Sequence, residues 1–168
     1  MTGHLVLSSL HTNDAATAIP RLLDMKIDPF LIASTVNIVI AQRLLRRICN
    51  VCIRTHEITK EEEVMLKYNQ KIKKYLEKKG YSMDKLPTLY EGKGCPVCSK
   101  TGYHGRVGVF EVLEVDEEIR ELILQRAPSN VIEDKAREHG MSTIFEDGVD
   151  KVLSGVTTLS EVIRVAGE

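Results

Sequence analysis

The chain opens on an almost unbroken apolar run, His4-Leu5-Val6-Leu7-Ser8-Ser9-Leu10, the pattern of a strand buried on both faces in a parallel sheet. A helix is expected after it. Thr12, Asn13 and Asp14 offer N-caps, and Ala15, Ala18, Leu22, Leu23 and Met25 share one face, with Pro20 interrupting the pattern. Ile27-Asp28-Pro29 breaks the chain, and a second apolar stretch runs from Phe30 to about Leu45; its first half reads as helix. Thr59-Lys60-Glu61-Glu62 is a capping box, followed at helical spacing by Met65, Tyr68, Ile72, Tyr75 and Leu76 up to Gly80. This predicts one amphipathic helix ending at a glycine cap. Residues 106–113 alternate as a strand does. Helices are then expected from Asp116, after Pro128-Ser129 as far as Gly140, over 144–153, and after the capping box Thr158-x-x-Glu161. Their apolar faces imply a small helical bundle.

Composition narrows the function classes. With 168 residues and a net charge of −1, the chain is long enough for a real core but carries no global electrostatic footprint for nucleic acid. No run of 18 apolar residues occurs, so nothing is expected to span a bilayer, and the absence of export features favours the cytoplasm. Lys67, Lys71, Lys73, Lys74, Lys78 and Lys79 form a basic face that reads as solvated, with an acidic partner or an anionic membrane surface as the other use of such a face.

The only four cysteines form two pairs, Cys49-x-x-Cys52 and Cys95-x-x-Cys98. Each pair is half of a tetrahedral thiolate site, because two intervening residues let both sulfurs reach one ion. The excursion over residues 53–94 exceeds the roughly 15–20 residues usual between such knuckles, so a sizeable element must be looped out. Four thiolates leave no open position for substrate, which makes the expected site structural: Zn²⁺ on Cys49, Cys52, Cys95 and Cys98. Two disulfides are the alternative pairing, and rubredoxin-type iron is the chemical rival to zinc. At the other end of the chain, His11, Thr12 and Asn13 fall where a parallel strand gives way to a helix, the place where open α/β sheets bind ligands. Imidazole there can bond a phosphate oxygen or orient a water, beside the free N–H groups of a helix start.

Several separated motifs together carry a resemblance. The segment from Thr2 to Ala15 resembles the histidine box of the secretion ATPases that power type II secretion and type IV pilus assembly. Arg21-Leu-Leu-Asp-Met25, Ile40-Ala-Gln-Arg-Leu-Leu-Arg-Arg-Ile-Cys49, Gly94-Cys-Pro-Val-Cys98 and Thr101-Gly-Tyr-His-Gly-Arg-Val-Gly-Val-Phe-Glu111 follow in that family's order. The resemblance implies an α/β fold: the C-terminal portion of a RecA-like P-loop ATPase core (residues 1–48, including the histidine box), a small tetracysteine zinc subdomain with an inserted lysine-rich helix (49–105), and a C-terminal strand with a helical bundle (106–168). It implies His11 near the terminal phosphate of ATP, His4 as the second box histidine at the opposite end of the strand, and Thr12, Asn13 and Arg43 as nucleotide-side residues, although a salt bridge is the simpler role for Arg43. Ser9 stands where the family usually has threonine and keeps its hydroxyl.

Implied partners are the other subunits of a hexameric ATPase and inner-membrane secretion or pilus assembly proteins, with no nucleic acid. The location is cytoplasmic, peripheral at the inner membrane through those partners. No G-x-x-x-x-G-K-[ST] run occurs, so the phosphate cradle and the hydroxyl ligand for Mg²⁺ are absent. ATP and Mg²⁺ are therefore expected only in an intact parent, of which this chain looks like the C-terminal part, and no hydrolysis is expected of it alone. A function of another class is a stand-alone zinc module binding protein or nucleic acid. Cys95-Pro-Val-Cys-Ser-Lys-Thr-Gly102 resembles the knuckles of DnaJ-type chaperones, but as a single imperfect copy.

Overall fold

The structure, a computed structural model, describes residues 4–82 and 86–167. It is mixed α/β and divides into two units, residues 1–41 with 111–142 and residues 42–110 with 143–168.

In the first unit the opening apolar run does not form a strand. Residues 4–10 have no regular structure, and Leu5, Val6 and Leu7 are 84%, 78% and 89% exposed. A strand buried on both faces requires neighbours on both sides, and none of the described residues supplies one. Helix α1 begins later than its apolar pattern suggests, at Ala18–Asp24. Asp14 instead holds the preceding turn by accepting the Thr17 amide at 2.7 Å. Pro20 falls in the first turn of α1, where its missing N–H has no intrahelical partner to lose. Helix α2, Pro29–Thr35, starts with Asp28 accepting the Phe30 amide and proline at its first position. After Val36 the β-branched Ile38-Val39-Ile40 turns the second half of that apolar stretch into strand β1, Ile38–Ile48.

Ile19, Ile32, Leu113, Ile119, Ile123 and Ile132 form the centre of this unit's core. Burying each such side chain contributes about 1.5–3 kcal/mol.

The second unit contains an antiparallel pair, β2 (Ile53–His56) with β3 (Leu89–Gly92), in the register Ile53↔Gly92 through His56↔Leu89. The excursion between them is two helices, not one: α3, Lys60–Tyr68, and α4, Gln70–Lys78. Asn69 ends the first and starts the second, its side chain accepting the Lys71 and Ile72 amides. An Asx cap competes with helix continuation, which overrides the unbroken apolar periodicity. The capping box at Thr59 and Glu62 forms as expected, and Glu62 also reaches Nε2 of His56 at 2.8 Å. Strand β4, Tyr103–Glu114, pairs with β1.

Of the remaining helices, α5 (Glu117–Leu124) and α6 (Ser129–Glu138) belong to the first unit. Helices α7 (Ile144–Leu153) and α8 (Leu159–Ala166) belong to the second, where they pack on each other. Among the described residues no helix is long and apolar enough to cross a membrane.

Candidate functional site

Backbone pairing assembles the cysteine cluster. Cys49 follows the last residue of β1, and Cys52 immediately precedes β2. The register that sets Ile53 opposite Gly92 continues one step outward, where the Lys93 amide donates to the Cys52 carbonyl at 3.0 Å. That step delivers the second knuckle, Cys95 and the 3-10 turn Pro96–Cys98, to the first. A third connection closes the frame: the Cys49 amide donates to the Gly102 carbonyl at 2.9 Å. The approach leaves no room for side chains on the backbone that crosses here. A Cβ on Gly92 would lie 2.0 Å from the Gly102 oxygen, and Gly102 itself has φ +80°.

All four sulfurs lie within 4.8 Å of one another. Cys49 to Cys95 is 3.8 Å, Cys52 to Cys98 is 3.9 Å, and Cys95 to Cys98 is 3.7 Å. A disulfide needs about 2.05 Å. Four sulfurs placed tetrahedrally at a metal–sulfur distance of about 2.3 Å are about 3.8 Å apart, so the cluster fits a single four-thiolate ion and not two disulfides.

Protonation within the cluster is uneven. The Cys95 amide donates to the Cys98 sulfur at 3.1 Å, and chiefly through that bond the Cys98 thiol is drawn down to about 6. Burial pushes Cys52 up to about 12, its sulfur neighbours adding to the effect. Just beyond Cys98, Ser99 and Lys100 have φ of 50° and 63°, a left-handed conformation costing about 1–2 kcal/mol per residue. Their turn is held by the Lys100 amide on the Cys95 carbonyl at 2.9 Å and the Thr101 amide on the Cys98 carbonyl at 3.0 Å.

The histidine segment is less enclosed. His4 and His11 are both exposed, as is Asn13, while Thr12 is half-buried and donates its hydroxyl to the Asp14 carbonyl at 3.0 Å. The helix-start amides are not free donors for an anion. Thr17 N–H is taken by Asp14, and Ala15 N–H by the buried carboxylate of Glu111 at 2.9 Å. Arg43 lies half-buried on β1, in the second unit.

Two acidic residues outside the predicted sites are buried and hydrogen-bonded. Glu111 occupies a buried position of β4 in phase with Leu113; the signal was an acid at the apolar phase of the alternation. Glu161, 1% exposed, does not complete the predicted capping box, although Thr158 makes its half. Its carboxylate instead accepts the Arg46 amide at 3.1 Å, the Arg46 guanidinium at 2.5 Å and Arg164 at 2.7 Å. Arg46 also stacks 4.3 Å over the Tyr103 ring, and the Tyr103 hydroxyl meets the Thr158 hydroxyl at 2.9 Å. Burial alone would push the Glu161 carboxyl up; Arg164 and Arg46 outweigh it and hold it near about 2.

Comparison with known proteins gives the lineage of this arrangement. The family model described as Type II/IV secretion system protein matches residues 1–164. The type II secretion system ATPase E of Vibrio cholerae is 43% identical over 168 residues, covering 100% of this chain and 31% of that protein. The type IV pilus assembly ATPase PilB of Thermus thermophilus is 42% identical over 165 residues, 97% of this chain and 17% of its own length. PilB of Myxococcus xanthus is 38% identical over 165 residues, 97% of this chain and 27% of its own. The chain therefore spans less than a third of the length of these relatives, and it belongs to the type II/IV secretion system protein family.

Proposed function

We propose that this chain is the part of a type II secretion or type IV pilus assembly ATPase that carries the histidine box and a structural zinc subdomain, and that it does not hydrolyse ATP by itself. The observation that carries the zinc half is the sulfur spacing of 3.7–3.9 Å, which matches a tetrahedral thiolate ion. Cys49, Cys52, Cys95 and Cys98 would hold the ion. When bound it supplies a cross-link and no reaction, since all four positions are filled by the protein. The β2–β3 register and the Gly92–Gly102 crossing support that reading, because they bring the two knuckles together without a catalytic opening.

The ATPase half rests on family membership. In an intact parent with a RecA-like core, Mg-ATP would sit on a phosphate cradle that this sequence lacks, and His11 would meet the terminal phosphate. His4 would serve as the second histidine of the box, and Thr12, Asn13 and Arg43 would line the nucleotide side. Hexameric neighbours and inner-membrane secretion or pilus assembly components are the partners this role requires, with the chain lying at the cytoplasmic side of the membrane through them.

The test is elemental analysis of protein purified without added metal, combined with an ATP turnover assay. One zinc per chain and no turnover above background are expected. Metal-free protein with four fast-reacting thiols would remove the zinc reading, and sustained turnover lost on His11→Ala would overturn the claim of inactivity.

A further inference from the structure

Along the inward face of β4, Leu113 packs in the first unit's core, and two residues before it the same face presents Glu111, only 4% exposed. Placing a carboxylate in an apolar row costs several kcal/mol unless it is engaged. One oxygen of Glu111 accepts the amide of Ala15 at 2.9 Å, across 96 positions of sequence. Ala15 is fully buried and begins the turn that follows the histidine segment.

That turn is tied internally. The Thr12 hydroxyl donates to the Asp14 carbonyl at 3.0 Å, the Thr17 hydroxyl to the same carbonyl at 3.2 Å, and the Thr17 amide to the Asp14 carboxylate at 2.7 Å. The Ala18 amide then donates to the Ala15 carbonyl at 3.2 Å. These bonds tie residues 12–18 together, so fixing Ala15 fixes the point from which His11 extends. Both ends of the bond are buried, so without Glu111 no water replaces it as acceptor for the Ala15 amide.

We infer that Glu111 is the positioning residue of the histidine segment: by gripping the Ala15 amide, β4 sets where His11 stands. The inference rests on the proposed role of His11 at the terminal phosphate for its catalytic consequence, but not for its structural half. Glutamine at 111 keeps an oxygen for the Ala15 amide, whereas leucine fills the volume and accepts nothing.

Two measurements test this. In the 168-residue chain, amide hydrogen exchange is followed in Glu111→Leu and Glu111→Gln. Glu111→Leu should speed exchange of Ala15 and its neighbours by about tenfold or more, the effect of leaving a buried amide without its acceptor, with Ile119 and Ile123 amides unchanged and Glu111→Gln within about threefold of the parent. Unchanged Ala15 exchange, or equal acceleration throughout the unit, would overturn the inference. The second measurement is ATP turnover by a chimera in which this chain replaces the matching segment of the Vibrio cholerae ATPase, with His11→Ala, Glu111→Leu and the double variant. Positioning predicts that the double variant is no slower than His11→Ala alone, with turnover restored by Glu111→Gln; additive losses would count against it. If His11→Ala leaves turnover intact, the histidine-box reading fails by itself, and exchange at Ala15 still decides what Glu111 holds.

Discussion

The cysteine cluster and the histidine segment are both short motifs separable in the sequence, yet the structure completes one and leaves the other bare. All four sulfurs that a thiolate site would use come from this chain. Two knuckles, the β2–β3 register and the Gly92–Gly102 crossing bring four sulfurs within 4.8 Å. The histidine segment has the apolar composition of a buried strand, but Leu5, Val6 and Leu7 stand 78–89% exposed. A local site needs its ligands and a turn; a strand buried on both faces needs a sheet around it. The chain covers 31% of the length of the Vibrio cholerae ATPase; among the described residues the four sulfurs meet one another and the apolar run stays exposed.

The largest effect expected is metal loss. Binding to structural zinc sites contributes on the order of 10 kcal/mol in small zinc domains, and here the ion would also hold Ser99 and Lys100 in their left-handed turn. A strong chelator, or Cys98→Ser, should therefore lower the melting temperature of the second unit by well over 10 °C, a shift of several kcal/mol. Calorimetry with and without chelator, alongside metal content, measures it. A chelated protein that melts where the untreated one does would break the comparison, since the cluster would then owe nothing to its ion.

Next in size is Gly92→Ala. Its Cβ would sit 2.0 Å from the Gly102 oxygen, and backbone on both sides prevents relief, so a loss of about 3 kcal/mol is expected. Denaturant titration reads it, and metal stoichiometry should fall with it. Full stability in Gly92→Ala would mean that the crossing tolerates separation and does not set the sulfur spacing.

Much of this was legible in advance because the deciding signals were local. Helix α7 spans Ile144–Leu153 as expected, its start fixed by Thr143 with Glu146 and its end by Ser154. The cysteine spacing announced four sulfurs close enough to share one ion. What sequence did not disclose depended partly on a local competition and partly on distant partners. Asn69 splits an otherwise continuous helical pattern because its side chain takes the next helix's amides. Residues 38–48 became a strand, where β-branched side chains favour pairing with β4. Glu161 was read as half of a capping box, while its carboxylate is engaged by Arg46, more than a hundred positions away, and by Arg164.

Glu161 also gives the second unit a pH dependence. Its folded value is depressed, from 4.5 to about 2, so the stabilisation is fully present above about 4.5 and is lost as the pH falls from there towards about 2. A shift of that size corresponds to roughly 3 kcal/mol. Glu161→Gln should flatten the acid limb of stability measured between pH 5 and 2, at a lower plateau. An unchanged acid limb would assign the effect to other carboxylates.

The smallest effect is the most informative about the histidine segment. Leu5→Ser with Leu7→Ser changes two side chains 84% and 89% exposed, and substitutions at such positions usually stay within about 0.5 kcal/mol. Thermal midpoint and denaturant slope should not move, while self-association, followed by light scattering at rising concentration, should decrease because an exposed apolar run of strand-forming sequence is an aggregation template. A fall of several degrees in the midpoint would show that Leu5 and Leu7 pack against this chain, and the contrast drawn with the cysteine cluster would fail. Unchanged stability with better solubility would sharpen it: the apolar residues beside His4 and His11 would then serve a surface that this chain does not supply, whereas the sulfurs of Cys49, Cys52, Cys95 and Cys98 need only one another and an ion.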